Sequence, residues 1–223
     1  MNATNAMNPT NPTPDHSTTA PTAPTAAETA ADFAVRVVRV EEWAAAKEIR
    51  LAALRDPLAP IAFMETREQA EARPEAFWKD RAARGAVGGP NRQFVAVSPK
   101  HPESRETPER SQRPGSGFAG TVTVIVEEPG TEDFMGERII ERQAHLVAVF
   151  VRPEHRGGRV AADLFRAAVG WARAQDGVRR VRLLVHVDNE RALAFYRKAG
   201  FVRVRELGEE CELEYRPRQD ERG

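Results

Sequence analysis

HLVAVFVRPEHRGGRVAADLF, residues 145–165, reads as an apolar strand, a proline, and an Arg-Gly-Gly-Arg turn that opens directly into a helix. Such a turn exposes consecutive backbone N–H groups at the positive end of a helix dipole, which is where a phosphate is held. Glycines suit it because a Cβ blocks close approach of the chain and because some turn positions need φ > 0. Outward from the turn, VAADLFRAAVGWARAQ keeps Val160, Leu164, Ala168 and Trp171 on one face, so it is an amphipathic helix ending near Asp176-Gly177. The strand VRRVRLLVHV follows, and strand, crossover helix and strand together form a βαβ unit with parallel strands. DNERALAFYRKAGF is then a helix with Asn189 as N-cap, Lys198 in its last turn and Gly200 as its stop. FVRVREL and CELEYR close the chain as a hairpin in which Cys211, Leu213 and Tyr215 share one face, and Glu212 and Glu214 the other.

Toward the N-terminus, FAVRVVRV alternates as a first strand, and EEWAAAKEIRLAALRD carries Trp43, Ile49, Ala53 and Leu54 at helical spacing until Asp56-Pro57 stops it. PEAFWKDRAARG is a second helix, with Pro74 in its first turn and an end at Gly85. RQFVAVS and GFAGTVTVIVEE are strands, and the Pro- and charge-rich segment between them predicts a mobile loop over 98–117. Residues 1–31 contain no Leu, Ile, Val or Phe, so they cannot offset the entropy of ordering and read as a disordered tail; residues 217–223 read as a second, short tail. The domain is expected over 33–216.

Composition narrows the function classes. Lys plus Arg balance Asp plus Glu at 33 each, so no overall basic field argues for nucleic acid as a partner. Apolar runs fall far short of the roughly 20 residues that span a bilayer, and the N-terminus has no apolar h-region, so neither a membrane span nor a signal peptide is expected. The single cysteine, Cys211, rules out an intramolecular disulfide and a cysteine-based zinc site; it reads as an inert strand residue in a reducing cytoplasm. Trp43, Phe77 and Trp78 read as core or lid packing before they read as a stacking platform.

Two segments together carry a family resemblance. VRPEHRGGRVA resembles the acetyl-CoA pyrophosphate loop of the GNAT N-acetyltransferase superfamily, whose pattern is Arg or Gln, two residues, Gly, one residue, then Gly or Ala. NERALAFYRKAGF resembles the second family motif, in the order and element context the family uses. RLAALRDPLAPIAF, residues 50–63, is similar to a segment that serves the acceptor side in many bacterial members. The resemblance implies an α/β (α+β) fold: a GNAT-like mixed, mostly antiparallel twisted sheet, with a central parallel strand pair joined by a crossover helix and helices on both faces. It implies acetyl-CoA as cosubstrate, with no metal. One position departs from the pattern: Arg159 stands where the central glycine is expected, while Gly157, Gly158 and Ala161 stay small. A backbone N–H survives any side chain except proline, so the cradle keeps its donors if Arg159 tolerates the local φ and ψ.

Acetyl transfer to an amine sets what the site must do. Free alkylamines carry a proton near neutral pH, so a base or proton wire is needed. His145 occupies the strand position where many relatives carry Glu; it reads either as that base or as a histidine closing a hydrogen bond at a strand start. Glu127, Glu128 and Glu141 are alternative bases through water, each otherwise a solvated carboxylate. Tyr196 matches the family's general acid, which protonates the leaving thiolate. Because adjacent helical residues point about 100° apart, Phe195 and Tyr196 are not expected to share one core pocket. The resemblance places the cofactor against Val149, Phe150 and Val151, where a bulge splays the strand and backbone N–H groups meet the oxyanion and the pantetheine amides, and against Arg156, Gly157, Gly158, Arg159, Val160, Ala161, Asn189 and Tyr196. Asn189 acts at least as a cap, and Arg156 either binds pyrophosphate or is an ordinary exposed arginine. The acceptor pocket falls to residues 41–90 and 127–142, where Glu65, Glu68 and Glu71 either attract a cationic amine or form a solvated helix face. A small-molecule amine is the first expectation for the acceptor, a protein N-terminus or lysine the second, and a non-catalytic CoA-binding module the third. A homodimer is left open.

Overall fold

The computed structural model describes residues 33–86, 89–97, 117–133 and 135–217. The expected tail at 1–31 lies outside these residues, as do all of the 98–117 loop except Gly117 and all of the C-terminal tail except Pro217. Seven strands form one sheet: β1 (Ala34–Val37), β2 (Asn91–Val97), β3 (Gly120–Glu127), β4 (Gln143–Val151), β5 (Arg180–His186), β6 (Phe201–Leu207) and β7 (Glu210–Tyr215), in the spatial order β1-β2-β3-β4-β5-β7-β6. Every pairing is antiparallel except β4 with β5. That parallel pair needs a crossover, and helix α5 (Val160–Arg173) supplies it.

The helices cover both faces. Alternation along β2 sends Phe94 and Ala96 to a core with Leu164, Phe165 and Ala168 of α5, and sends Val95 to a second core with Ala45, Ala46, Ile49 and Ala53 of α1 (Trp43–Ala53). Ala86, at the end of α4 (Glu75–Ala86), joins that second core. Between α1 and α4 lie two short helices, α2 (Ala59–Ala62) and α3 (Arg67–Glu71), that hydrophobic periodicity does not reveal because four or five residues carry no period. Thr66 caps α3 through a reciprocal box with Gln69. The first strand ends at Val37 rather than Val40, since Val40–Glu42 turn into a 3-10 helix that leads into α1. Trp78 is buried against Leu54 and Ala70 and meets Phe77 edge-to-face at 5.2 Å, so the aromatic cluster is core.

The motif region forms as the sequence predicts. The Asn189 side chain accepts the Ala192 N–H (3.2 Å) and caps α6 (Glu190–Lys198), and Gly200 follows it at φ +91. β4 carries a bulge, centred on Ala148 at φ +53 and so two residues earlier than Phe150. Across from it, Thr121 pairs with Phe150 and Thr123 with Val147, so β4 holds one residue more than its partner. The extra residue inverts the alternation: Ala144 and Leu146 face α5, whereas Phe150, of the same parity, faces α1. His145 and Phe150 are thereby turned to the same side of the sheet.

Candidate active site

β4 and β5 pair only over Gln143 to His145 and Arg180 to Arg182, after which they part. A cleft of about 1180 Å³ opens along the split. Its walls are β4 from His145 to Val151, Leu184 to His186 of β5, Asn189, Phe195 and Tyr196 at α6, and the α2 segment from Leu58 to Met64; the turn at Arg156, Gly157, Gly158 and Ala161 also lines it. One cavity thus gathers Val149, Phe150, Val151, Asn189, Tyr196, His145 and most of the phosphate turn. Val160 instead buries its side chain under α5, and Arg159 sends its own into solvent at 81% exposure, 3.9 Å from Asp163. These two can offer the cleft only their backbone.

The turn has the geometry of an anion cradle. Gly157 sits at φ +80, where an L side chain is strained, and no atom lies within 4 Å of the place a Cβ would take. Arg159 adopts φ −81 and ψ −14, right-handed backbone open to any residue, so the missing glycine costs nothing in conformation. No side chain caps α5, and the first hydrogen bond across its start runs from the Asp163 N–H to the Arg159 carbonyl (2.9 Å). The preceding N–H groups keep their donors for a ligand. Arg156 is committed elsewhere: its Nε donates to the Val151 carbonyl (2.9 Å), its guanidinium pairs with Asp56 and lies 5.6 Å over the Phe150 ring. Burial alone would raise the Asp56 carboxyl, but the Arg156 hydrogen bond, the Leu58 N–H and the Arg156 charge hold it below the usual carboxylate range. Arg156 therefore ties the turn to the segment after α1 rather than standing as an exposed arginine.

Deeper in the cleft, His145 is only 2% exposed, and its Nδ1 lies 3.3 Å from Glu127 Oε1. Glu127 is no solvated carboxylate. It accepts from Gln143 Nε2 (2.8 Å) and from Arg182 Nη2 (2.9 Å), and these contacts sit in a larger charge cluster. Arg182, also 2% exposed, donates to Asp133 Oδ2 (2.8 Å) and lies 3.3 Å from Glu212 Oε1. Glu212 in turn pairs with Arg180 and with Arg205 Nε (3.2 Å). Burial pushes the Glu127 carboxyl up, yet the hydrogen bond and charge of His145 and the charge of Arg182 outweigh it and hold the group below its ordinary range. Glu128 instead pairs with Arg142 at the surface, and Glu141 is exposed.

Tyr196 is buried, and burial pushes its phenol well above the ordinary tyrosine range. The proton is held throughout neutral and mildly alkaline pH. Phe195 and Tyr196 do share a neighbour, contrary to the helical-angle expectation: Phe165 contacts Phe195 at 4.9 Å and Tyr196 at 5.5 Å between centroids. A ring as wide as phenylalanine spans the 100° between adjacent helical positions. Both aromatics nevertheless border the cleft.

Several cleft residues carry no motif and escape sequence reading. His186 ends β5 with Nδ1 accepting the Asp188 N–H (3.2 Å), and Glu210 pairs with it across β7. Burial, joined by the charge of Glu209, pushes the Glu210 carboxyl up against the pull of His186. Arg182 had one available signal, a charge between Val181 and Leu183 inside an apolar strand. Glu65, Glu68 and Glu71 do not border the cleft; Glu65 binds Arg50 and Glu71 binds Arg67. Cys211 is buried, its Sγ 3.4 Å from the Val185 carbonyl, and burial pushes the thiol up, which keeps it unreactive. Among the described residues no helix is long and apolar enough to cross a membrane.

Residues 115–201 match the family model described as acetyltransferase (GNAT) family. A protein of Bacillus subtilis (strain 168), named as a [ribosomal protein bS18]-alanine N-acetyltransferase, is 32% identical over 78 residues, which are 34% of this chain and 51% of that protein. The chain thus spans about half the length of the curated relative it matches. Among solved structures, PaiA N-acetyltransferase from Thermoplasma acidophilum in complex with coenzyme A superposes with a TM-score of 0.59 at 18% identity, over 83% of this chain and 99% of that one. Arabidopsis thaliana NAA60 in complex with a bisubstrate analogue gives 0.55 at 18% identity, over 82% and 98%. At such identities the likeness is one of fold.

Proposed function

Residues 115–201 belong to the acetyltransferase (GNAT) family, and from that membership we propose that the chain is an acetyl-CoA-dependent N-acetyltransferase acting on the primary amine of a small molecule by direct attack in a ternary complex. One observation carries this reading: a single cleft joins the uncapped start of α5 to His145 and Tyr196. Acetyl-CoA, once bound, supplies the activated acyl group as a thioester. The N–H groups from Gly157 to Ala161 receive its pyrophosphate, and the unpaired edge of β4 from Val149 to Val151 receives its amides. The backbone N–H groups beside the bulge stabilise negative charge on the carbonyl oxygen. His145, held by Glu127, takes the proton from the amine, and Tyr196 gives one to the departing sulfur. Glu127 Oε1, 3.3 Å from Nδ1, fixes the orientation of the ring.

A peptide N-terminus is the second reading, and it rests on the 32% identity with the relative named for a ribosomal-protein alanine. Calorimetry with CoA together with thiol release from acetyl-CoA over aminoglycosides, polyamines, amino acids and N-terminal peptides separates these acceptors. CoA binding with no turnover on any amine would leave only a binding module.

Three substitutions test the assigned roles. Gly157→Ala should weaken CoA binding by about tenfold, since a Cβ at positive φ costs roughly 1–2 kcal/mol and remodels the cradle. Arg159→Gly should change Kd by no more than about threefold, because an exposed charge contributes little; calorimetry reads both, and an Arg159→Gly loss as large as that of Gly157→Ala would mean that the side chain binds phosphate alongside the turn. For the base, His145→Ala should lower kcat at neutral pH by about 10²-fold or more with Kd for CoA unchanged. A kcat within about twofold of wild type would clear His145 of the role.

A further inference from the structure

Arg81 stands on α4 in the wall of the same cleft, half-buried, and among the described residues no hydrogen bond or ion pair engages it. Its electrostatic neighbours are Arg50 and Arg84, both cations, and one carboxylate, Glu65. Glu65 is already shared, 3.1 Å from Arg50 and 3.5 Å from Arg73. Arg50 also borders the cleft, packed 4.6 Å over the Phe63 ring. A guanidinium drawn from water beside other cations, without a partner of its own, is unfavourable until an anion arrives, and its planar fork fits a carboxylate in two hydrogen bonds. Burial and the two neighbouring arginines pull its proton affinity below the ordinary arginine range, which marks the same uncompensated charge.

Elsewhere the lining holds both signs: Arg156, paired with Asp56, and Arg191 on α6, and a group of carboxylates. Glu127, Glu128, Glu132 and Asp133 border the cleft around His145, where the proposed chemistry places the amine. Building on the proposed N-acetyltransferase activity, we infer that Arg81 determines acceptor specificity by binding a carboxylate on the amine substrate, so that the acceptor is an amino acid or similar amino-carboxylate whose ammonium group faces the acidic wall and whose acid group faces α4. Polyamines, cationic throughout, have nothing to offer Arg81.

The test compares free α-amino acids with their α-carboxamides in the thiol-release assay, using the full-length protein. Amidation makes the amine less basic and leaves more of it neutral, so intrinsic reactivity favours the carboxamide, and a preference for the acid reports binding. Wild type should favour the best amino acid over its carboxamide by about tenfold or more in kcat/KM, in line with one charge-assisted bidentate contact. Arg81→Gln should raise KM for that amino acid about tenfold while leaving KM for the carboxamide and Kd for CoA unchanged, and Arg81→Lys should restore part of the difference. Equal turnover of acid and amide by wild type, or equal losses on both in Arg81→Gln, overturns the inference while the acetyltransferase reading stands. With peptides assayed in parallel, a peptide preferred over every free amino acid overturns the small-molecule assignment. Failure to acetylate any amine, with CoA bound, sinks the underlying activity and this inference with it.

Discussion

Replacing Arg182 by leucine should lower the unfolding free energy by about 3–5 kcal/mol, the usual consequence of removing one partner from a buried ionic cluster. Glu127, Asp133 and Glu212 would remain as carboxylates in a space from which their shared counter-charge has gone. The effect should depend on pH in a definite direction. Burial raises the Asp133 carboxyl, but the Glu137 N–H, Arg182 and the Met135 N–H together hold it below its ordinary value of 3.8, and Glu127 lies below 4.5 by the balance already described. A carboxyl depressed in the folded state contributes stability that is fully present above its unfolded pKa and is lost as pH falls through the folded one. Without Arg182 both groups titrate higher and this contribution is already missing at pH 7, so the stability gap between Arg182→Leu and wild type should be widest near neutral pH and narrow as pH falls. Chemical denaturation at pH 7 and an acid titration followed by circular dichroism measure the two parts. A loss below about 1 kcal/mol would mean that the cluster is solvated and that Arg182 contributes no more than a surface pair.

Tyr196→Phe should cut kcat by about 10²–10³ with little change in KM for acetyl-CoA, as loss of a positioned general acid does. The ring should stay in place, because its contacts with Phe165 at 5.5 Å and Phe201 at 6.3 Å do not involve the hydroxyl. Thermal melting therefore distinguishes a catalytic loss from a folding defect. Since burial keeps the phenol protonated, wild-type kcat should show no alkaline limb from this group through mildly alkaline pH. A rate unchanged in Tyr196→Phe would leave the phenol only a packing role among the aromatic rings around Phe165.

How much of this was legible in the chain depends on range. The β4–turn–α5 unit, the Asn189 cap and the terminal hairpin are local: strand alternation, a capping side chain and a glycine stop act within a few residues, and they appear where the sequence puts them. The bulge was expected from resemblance, but its centre at Ala148 depends on pairing with β3, which adjacent residues do not encode. The acceptor wall was the least readable. Glu65 and Glu71 look as available for a cationic amine as Glu127 does, and only the fold shows that the first two stand outside the cleft lining, bound to Arg50 and Arg67, while Glu127 lies in it. Arg156 shows the same limit, since its partner Asp56 lies 100 residues away in sequence.

The short zipper between β4 and β5 leaves two strand edges facing one another inside the sheet rather than at its rim. Beyond His145 of β4 and Arg182 of β5, the backbone edges that face each other have no strand partner on that side. Natural sheets protect such edges with charge, bulges or covering segments, because a bare edge will accept any extended chain. Here the protection has been placed within the molecule, where the aromatics of α6 and the bulge at Ala148 leave a slot wide enough for a slender ligand. A cosubstrate bound there as proposed would occupy the same backbone atoms that a stray extended chain could otherwise reach.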